Sequence, residues 1–126
     1  MEDAPEARMT TDTQTRQIVS AYRAARDAGD AQAAARYLAP GFSFQSPLMR
    51  LDDPDLYLAG YIAFQKMVTR TDLISELYGE GEATLLYDLH ATIPGETQRT
   101  AEHFRLAGGK ITSILLIFDA SPWRAG

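Results

Sequence analysis

The chain has no cysteine among its 126 residues, which excludes a disulfide framework, a thiolate nucleophile and any cysteine-based metal centre. Lysine is nearly as scarce. Lys66 and Lys110 are the only two, the ten arginines are scattered, and the formal net charge is −5. A phosphate backbone or an anionic membrane surface calls for clustered basic residues, so neither nucleic acid nor a membrane is an expected partner. A small neutral or apolar ligand suits this charge better.

Further absences narrow the field. Two histidines, His90 and His103, stand apart without ligand spacing, so no metal is expected. No glycine-rich phosphate loop is present, and the GEGE run at 79–82 is an acidic turn that would repel phosphate, so no cofactor is expected. The opening MEDAPEARMTTD lacks the apolar region of a signal peptide, and no apolar run approaches membrane-spanning length, which points to a cytoplasmic location. A composition of 45% hydrophobic and 23% charged residues suits one globular domain. Residues 1–11 read as a flexible tail and 12–126 as that domain.

From Asp12 onward, Ile18, Val19, Tyr22, Ala25 and Arg26 recur at helical spacing, and Gly29 supplies a stop. Asp30 caps a second helix over Ala31–Leu38, ended by Pro40-Gly41. FSFQSP at 42–47 alternates as a short strand with Phe42, Phe44 and Ser46 on one face. Asp53-Pro54 then opens a third helix carrying an aromatic stripe of Tyr57, Tyr61 and Phe64 that runs on to Val68. Strands follow at 73–78, 82–92, 97–106 and 110–119, joined by turns at Gly79-Glu80-Gly81, Pro94-Gly95 and Gly108-Gly109. The nearly continuous apolar run Ile111–Phe118 predicts a strand covered on both faces. Helices first and antiparallel strands last make an α+β domain.

Asp88, His90 and Glu102 sit inside these apolar strands, where ionisable groups are costly unless paired or used. A loop pairing Ile93 with Thr97 sets Asp88 opposite Glu102, His90 opposite Thr100 and Leu86 opposite Phe104. A one-residue slip sets Tyr87 opposite Glu102 instead. Two crowded carboxylates raise one pKa, giving an acid near neutral pH. The other, oriented by His90, is then the base, with Tyr22 and Ser46 steering oxygen atoms. Tyr57, Tyr61 and Phe64 are pocket wall, joined by Phe104 on the Glu102 face. The alternative is that Asp88 and His90 are a satisfied buried pair, or a polar patch in a dimer interface on the convex face. Trp123, the only tryptophan, is expected to seal one rim.

The order helix, helix, strand, helix and four meandering strands resembles the nuclear-transport-factor-2-like (NTF2-like) superfamily, in its SnoaL-like and ketosteroid-isomerase-like branches. AYRAARDAGDAQAAARYLAPGFSFQSP looks like the opening of that fold and HFRLAGGKITSILLIFD like its closing hairpin. The likeness covers about residues 12–123. It implies a cone in which three N-terminal helices pack on a curved, mainly antiparallel sheet around a largely apolar pocket. Alternate residues of the first strand, Phe44 among them, face inward there. Tyr22 matches the tyrosine that donates to an enolate oxygen in the isomerases. Ser46 stands where those enzymes carry the proton-moving aspartate, so their usual mechanism is excluded. Asp88-Leu89-His90 resembles part of the epoxide-hydrolase triad, without its arginine and second aspartate. The resemblance thus implies a small, largely apolar organic ligand, a homodimer, and cofactor-free isomerase, hydrolase or cyclase chemistry. The competing reading is a non-catalytic binding or dimerisation module of the same fold.

Overall fold

A computed structural model describes residues 11–93 and 95–124. Helix α1 spans Asp12–Asp27 and begins with a reciprocal capping box, in which Thr11 accepts from the Gln14 backbone and Gln14 returns a bond to Thr11. Its buried residues are Thr15, Val19, Tyr22 and Arg26, one stripe along the helix. Gly29, at φ +80°, follows the helix end in the left-handed region that glycine adopts freely. Helix α2 covers Ala31–Ala35 with Asp30 capping it. It is shorter than expected because Leu38 already belongs to strand β1, Leu38–Gln45, and Pro40-Gly41 lies within that strand. Strand β2, Arg50–Leu51, folds back on β1.

Helix α3, Pro54–Gln65, starts at the expected Asp53-Pro54 signal. It stops before Val68, which opens the long strand β3, Val68–Gly79. Strands β4 (Glu82–Ala91), β5 (Gln98–Ala107) and β6 (Lys110–Ile117) complete a meander, and a short helix α4 (Ser121–Arg124) follows. Neither β2 nor α4 was expected from the sequence. The sheet runs β2-β1-β6-β5-β4-β3 and is antiparallel except for the β1–β6 pair. Register irregularities in β3 and between Arg105 and Leu106 bend it. The helices cover one side, where Val19, Tyr22, Phe42, Leu58, Leu85, Phe104, Ile111 and Ile114 form the core. This is the expected α+β architecture. Among the described residues, no helix is long and apolar enough to cross a membrane. Residues 1–10 of the expected 1–11 tail, and Pro94 of the Pro94-Gly95 turn, lie outside the described residues, while Thr11 is the N-cap of α1.

Two expectations are corrected. The β4–β5 register pairs Asp88 with Arg99, Tyr87 with Thr100 and Leu85 with Glu102, three residues away from the pairing of Asp88 with Glu102. An odd displacement exchanges faces, so Glu102 points to the helices while Asp88 and His90 point to the far side of the sheet. Strand β6 is covered on one face only, since Leu115 and Ile117 remain 38% and 54% exposed.

Candidate functional site

Between α3, the β1–β2 turn and strands β4–β6 lies a cavity of about 240 Å³. Phe44, Leu51, Tyr57, Tyr61, Phe64, Tyr87, Leu89, Leu116, Phe118 and Trp123 supply its walls. Leu48 and Met49, both exposed, stand at its mouth. The aromatic walls touch in series, with ring centroids 4.6 Å apart for Phe44–Tyr57, 6.1 Å for Tyr57–Tyr61, 6.3 Å for Tyr61–Phe64 and 5.8 Å for Phe64–Trp123.

Its polar lining is mostly committed elsewhere. Ser46 Oγ accepts from the Leu48 and Met49 amides at 3.1 and 3.3 Å, which fixes the β1–β2 turn. Gln98 Oε1 accepts from Trp123 Nε1 and its Nε2 donates to the Asp119 carbonyl. Thr100 Oγ1 donates to the Gln98 carbonyl. Three phenols remain, Tyr57, Tyr61 and Tyr87.

Beneath those phenols lies a charged pair that the sequence reading did not single out. Arg26 Nη1 donates to Glu102 Oε2 at 2.7 Å, with both side chains 1% exposed. Tyr87 donates to the other carboxylate oxygen, Oε1, at 3.1 Å. The guanidinium carbon lies 3.9 Å from the centroid of the Tyr61 ring. Nη1 also approaches the Tyr57 hydroxyl at 3.4 Å, and that hydroxyl lies 2.9 Å from the Tyr22 hydroxyl. Tyr22 is fully buried, and Tyr57 is the acceptor its proton has among the described residues. Tyr57, also buried, stands in the same relation to Tyr22, and either hydroxyl can donate in the hydrogen bond they share. The Tyr57 oxygen also accepts from Arg26 Nη1, and Tyr57 lines the cavity above.

Burial favours neutral phenols and outweighs the Arg26 charge, raising the pKa values of Tyr22, Tyr57 and Tyr61 above the ordinary phenol value. For Tyr87, burial and then the Glu102 carboxylate push in the same direction. Burial works against the Arg26 charge, but Glu102 and the surrounding phenols prevail and hold its pKa well above the usual guanidinium value. The site is therefore a neutral, hydrogen-bond-donating floor over a compensated ion pair.

The residues named from sequence separate into three places. Phe44, Ser46, Tyr57, Tyr61 and Phe64 line the cavity. Tyr22, Glu102 and Phe104 lie in the layer beneath it, with Tyr22 and Phe104 edge to face at 6.2 Å. Asp88 and His90 are on the far side of the sheet. There Asp88 is held bidentately by Arg99 at 2.9 Å, and His90 bonds Asp72 and Thr97 at 3.0 and 3.1 Å. The expected cluster of Asp88, His90 and Glu102 does not form. Arg26 was legible in one respect, since it continues the buried stripe of Thr15, Val19 and Tyr22.

No protein-family model and no curated protein matches the sequence. Solved structures do match. A protein from Kribbella flavida is 28% identical with a TM-score of 0.74, covering 85% of this chain and 88% of that one. An NTF2-like protein of unknown function from Cytophaga hutchinsonii is 22% identical with a TM-score of 0.72, over 86% and 93%. A candidate polyketide cyclase from Sinorhizobium meliloti is 18% identical with a TM-score of 0.69, over 79% and 93%. The chain has the NTF2-like fold.

Proposed function

We propose that the chain binds a small, largely apolar organic molecule bearing one hydrogen-bond-accepting oxygen, seated in the cavity with that oxygen at Tyr57 and Tyr61. The observation that carries this reading is an aromatic cavity whose uncommitted polar groups are neutral phenols. Among the described residues, Tyr61 makes no side-chain hydrogen bond, and the Tyr57 hydroxyl turns its proton to the cavity when Tyr22 donates in the bond they share. Such a pocket takes a ketone, ester or quinone oxygen and disfavours a free carboxylate. At about 240 Å³ the cavity lies just below the roughly 300 Å³ at which drug-sized sites begin, which suits a molecule no larger than a bicyclic ketone.

Trp123 is the only tryptophan and lines the cavity, so its fluorescence reports occupancy. Titration with a panel of monocyclic and bicyclic ketones, 2-decalone among them, is expected to give a saturable change. Tyr57→Phe is expected to weaken binding by roughly 2- to 12-fold, the value of one hydrogen bond. A panel without any saturable response would refute the reading.

Cofactor-free acid–base chemistry of the isomerase, hydrolase or cyclase kind is the second reading. It is favoured by the Arg26 guanidinium behind Tyr57, an arrangement suited to polarising a carbonyl. The likeness to a protein named as a candidate polyketide cyclase accords with it. In this reading Tyr57 is the electrophilic donor, and Glu102, with both oxygens engaged, positions Arg26. We also propose that the far side of the sheet is covered by a second copy of the chain, since Leu115 and Ile117 leave apolar surface there.

A further inference from the structure

Strand β5 turns Gln98, Thr100, Glu102 and Phe104 to the helix side, every second residue being buried. Thr100 is 5% exposed, lines the cavity and stands directly across from Tyr87 of β4. A hydroxyl has one proton to give and two lone pairs to receive with. At this pair of positions both protons are engaged. Thr100 Oγ1 donates to the Gln98 carbonyl at 3.1 Å, and a carbonyl can only accept, so the direction of that bond is fixed. Tyr87 donates to Glu102 Oε1 at 3.1 Å, and the carboxylate that Arg26 holds is likewise an acceptor. Among the described residues no group donates to either hydroxyl oxygen.

The cavity is therefore polarised between its two walls. On the α3 wall, Tyr61 keeps a phenol proton without a side-chain partner among the described residues. On the sheet wall, Thr100 and Tyr87 can only accept. Tyr87 points its oxygen down to Glu102 beneath the floor, which leaves Thr100 as the acceptor on the wall itself. Leu89, Leu116 and Phe118 make the rest of that wall apolar, and Gln98 has both ends of its amide engaged by Trp123 and Asp119. An apolar ligand edge laid against Thr100 strips water from the oxygen and offers nothing in return, the cost of any buried polar group left unpaired. A ligand hydroxyl removes that cost. A cationic donor does not suit the place, because no carboxylate lines the cavity and Arg26 already neutralises Glu102 below it.

We propose that the ligand is a hydroxyketone, with its carbonyl oxygen at the α3 phenols and its hydroxyl donating to Thr100 Oγ1. Thr100 is then the residue that selects hydroxylated over plain ketones. This deepens the reading of the cavity as a ketone site and rests on it. Discrimination of this kind comes from the protein group that a plain ketone leaves unpaired.

Calorimetric titration of the full chain tests this, with 1-tetralone and with its hydroxy derivatives substituted at each aromatic position away from the carbonyl. At least one derivative is expected to bind roughly fivefold more tightly than 1-tetralone, the gain of one hydrogen bond. Thr100→Val keeps the shape of the side chain and removes the acceptor. It is expected to abolish the preference while holding 1-tetralone within about twofold of the original, which also shows that the variant is folded. Thr100→Ser restores an oxygen and is expected to restore the preference. Equal affinity for 1-tetralone and all its hydroxy derivatives would overturn the proposal and leave the ketone site standing, as would a preference that survives in Thr100→Val. Were no tetralone to bind, the ketone reading would fail and the proposal with it.

Discussion

Arg26 and Glu102, 76 positions apart in sequence, meet at 2.7 Å with both side chains 1% exposed. Desolvating two charges costs several kcal/mol each, and their attraction compensates only with good geometry and satisfied lone pairs. Both conditions are met here, because Tyr87 fills the second carboxylate oxygen and Tyr57 stands beside the guanidinium. Two packed apolar residues would hold the helix to the sheet as well. The charge is better explained by what it does to the phenols above it.

Removing one partner leaves the other charged and buried. Glu102→Gln and Arg26→Met are each expected to lose about 3–5 kcal/mol in urea unfolding, while the paired replacement Arg26→Met with Glu102→Leu recovers most of that loss. A single variant as stable as the original chain would show that the pair is not buried as described.

The phenols give an alkaline signature. Tyr22, Tyr57, Tyr61 and Tyr87 have folded pKa values above the unfolded one, with burial as the first cause. Their contribution is complete below the unfolded value of about 10 and is lost as pH rises from there towards the folded values. Ultraviolet titration is expected to show these four phenols ionising together with alkaline unfolding, and in Glu102→Gln the Tyr87 phenol should ionise at lower pH. Four phenols titrating near pH 10 in the folded protein would contradict the burial.

Asp88 offers the opposite sign on the opposite face. The Arg99 hydrogen bonds hold its carboxyl below the usual aspartate range. Its stabilising effect is therefore present above the unfolded value of about 3.9 and is lost as pH falls through the folded value. Arg99→Gln is expected to move the Asp88 midpoint, followed by carboxyl NMR, up towards that value. Asp88→Asn is expected to leave ketone binding within twofold of the original, because the side chain is across the sheet from the cavity. A tenfold loss of binding in that variant would return Asp88 to the site.

Much of the architecture was legible because local signals agree with it. Asp53-Pro54, the Asp30 cap and the Gly108-Gly109 turn, with φ of +60° and +79°, stand where the sequence places them. Tyr57, Tyr61 and Phe64 reach the cavity because a helical stripe has one way to pack. The β4–β5 register was not legible, since it depends on a long connection whose length no residue announces. Its parity was nevertheless written in β4. Ala83, Leu85, Tyr87, Leu89 and Ala91 form one unbroken apolar face, whereas Thr84, Asp88 and His90 share the other. Treating Asp88 and His90 as buried overrode that alternation. Arg26 was hidden by its own charge, because a helical arginine usually belongs to the solvent side, and only a carboxylate from a distant strand makes the inside tolerable.

The far side of the sheet supplies the last prediction. Leu86, Ala101 and Ile117 lie in register across β4, β5 and β6, with Leu115 and Leu77 nearby. Ile117 is 54% exposed and Leu77 68% exposed. Polar pairs flank this apolar row, Asp88 with Arg99 on one side and His103 with Glu82 on the other. Such a border suits a face that meets its own copy, because a two-fold axis through the row sets the same groups against each other in reverse order. A stable interface of this kind buries roughly 800 Å² per partner, an area that needs the whole row. Light scattering is expected to show twice the chain mass. Ile117→Asp, which places a carboxylate at the β6 end of the row, is expected to give the single chain mass with 2-decalone binding retained. A chain that is monomeric before substitution at tens of micromolar would show that no second copy covers this face. A dimer indifferent to Ile117→Asp would place the contact elsewhere, and the exposed edge of β3 would then be the surface to test.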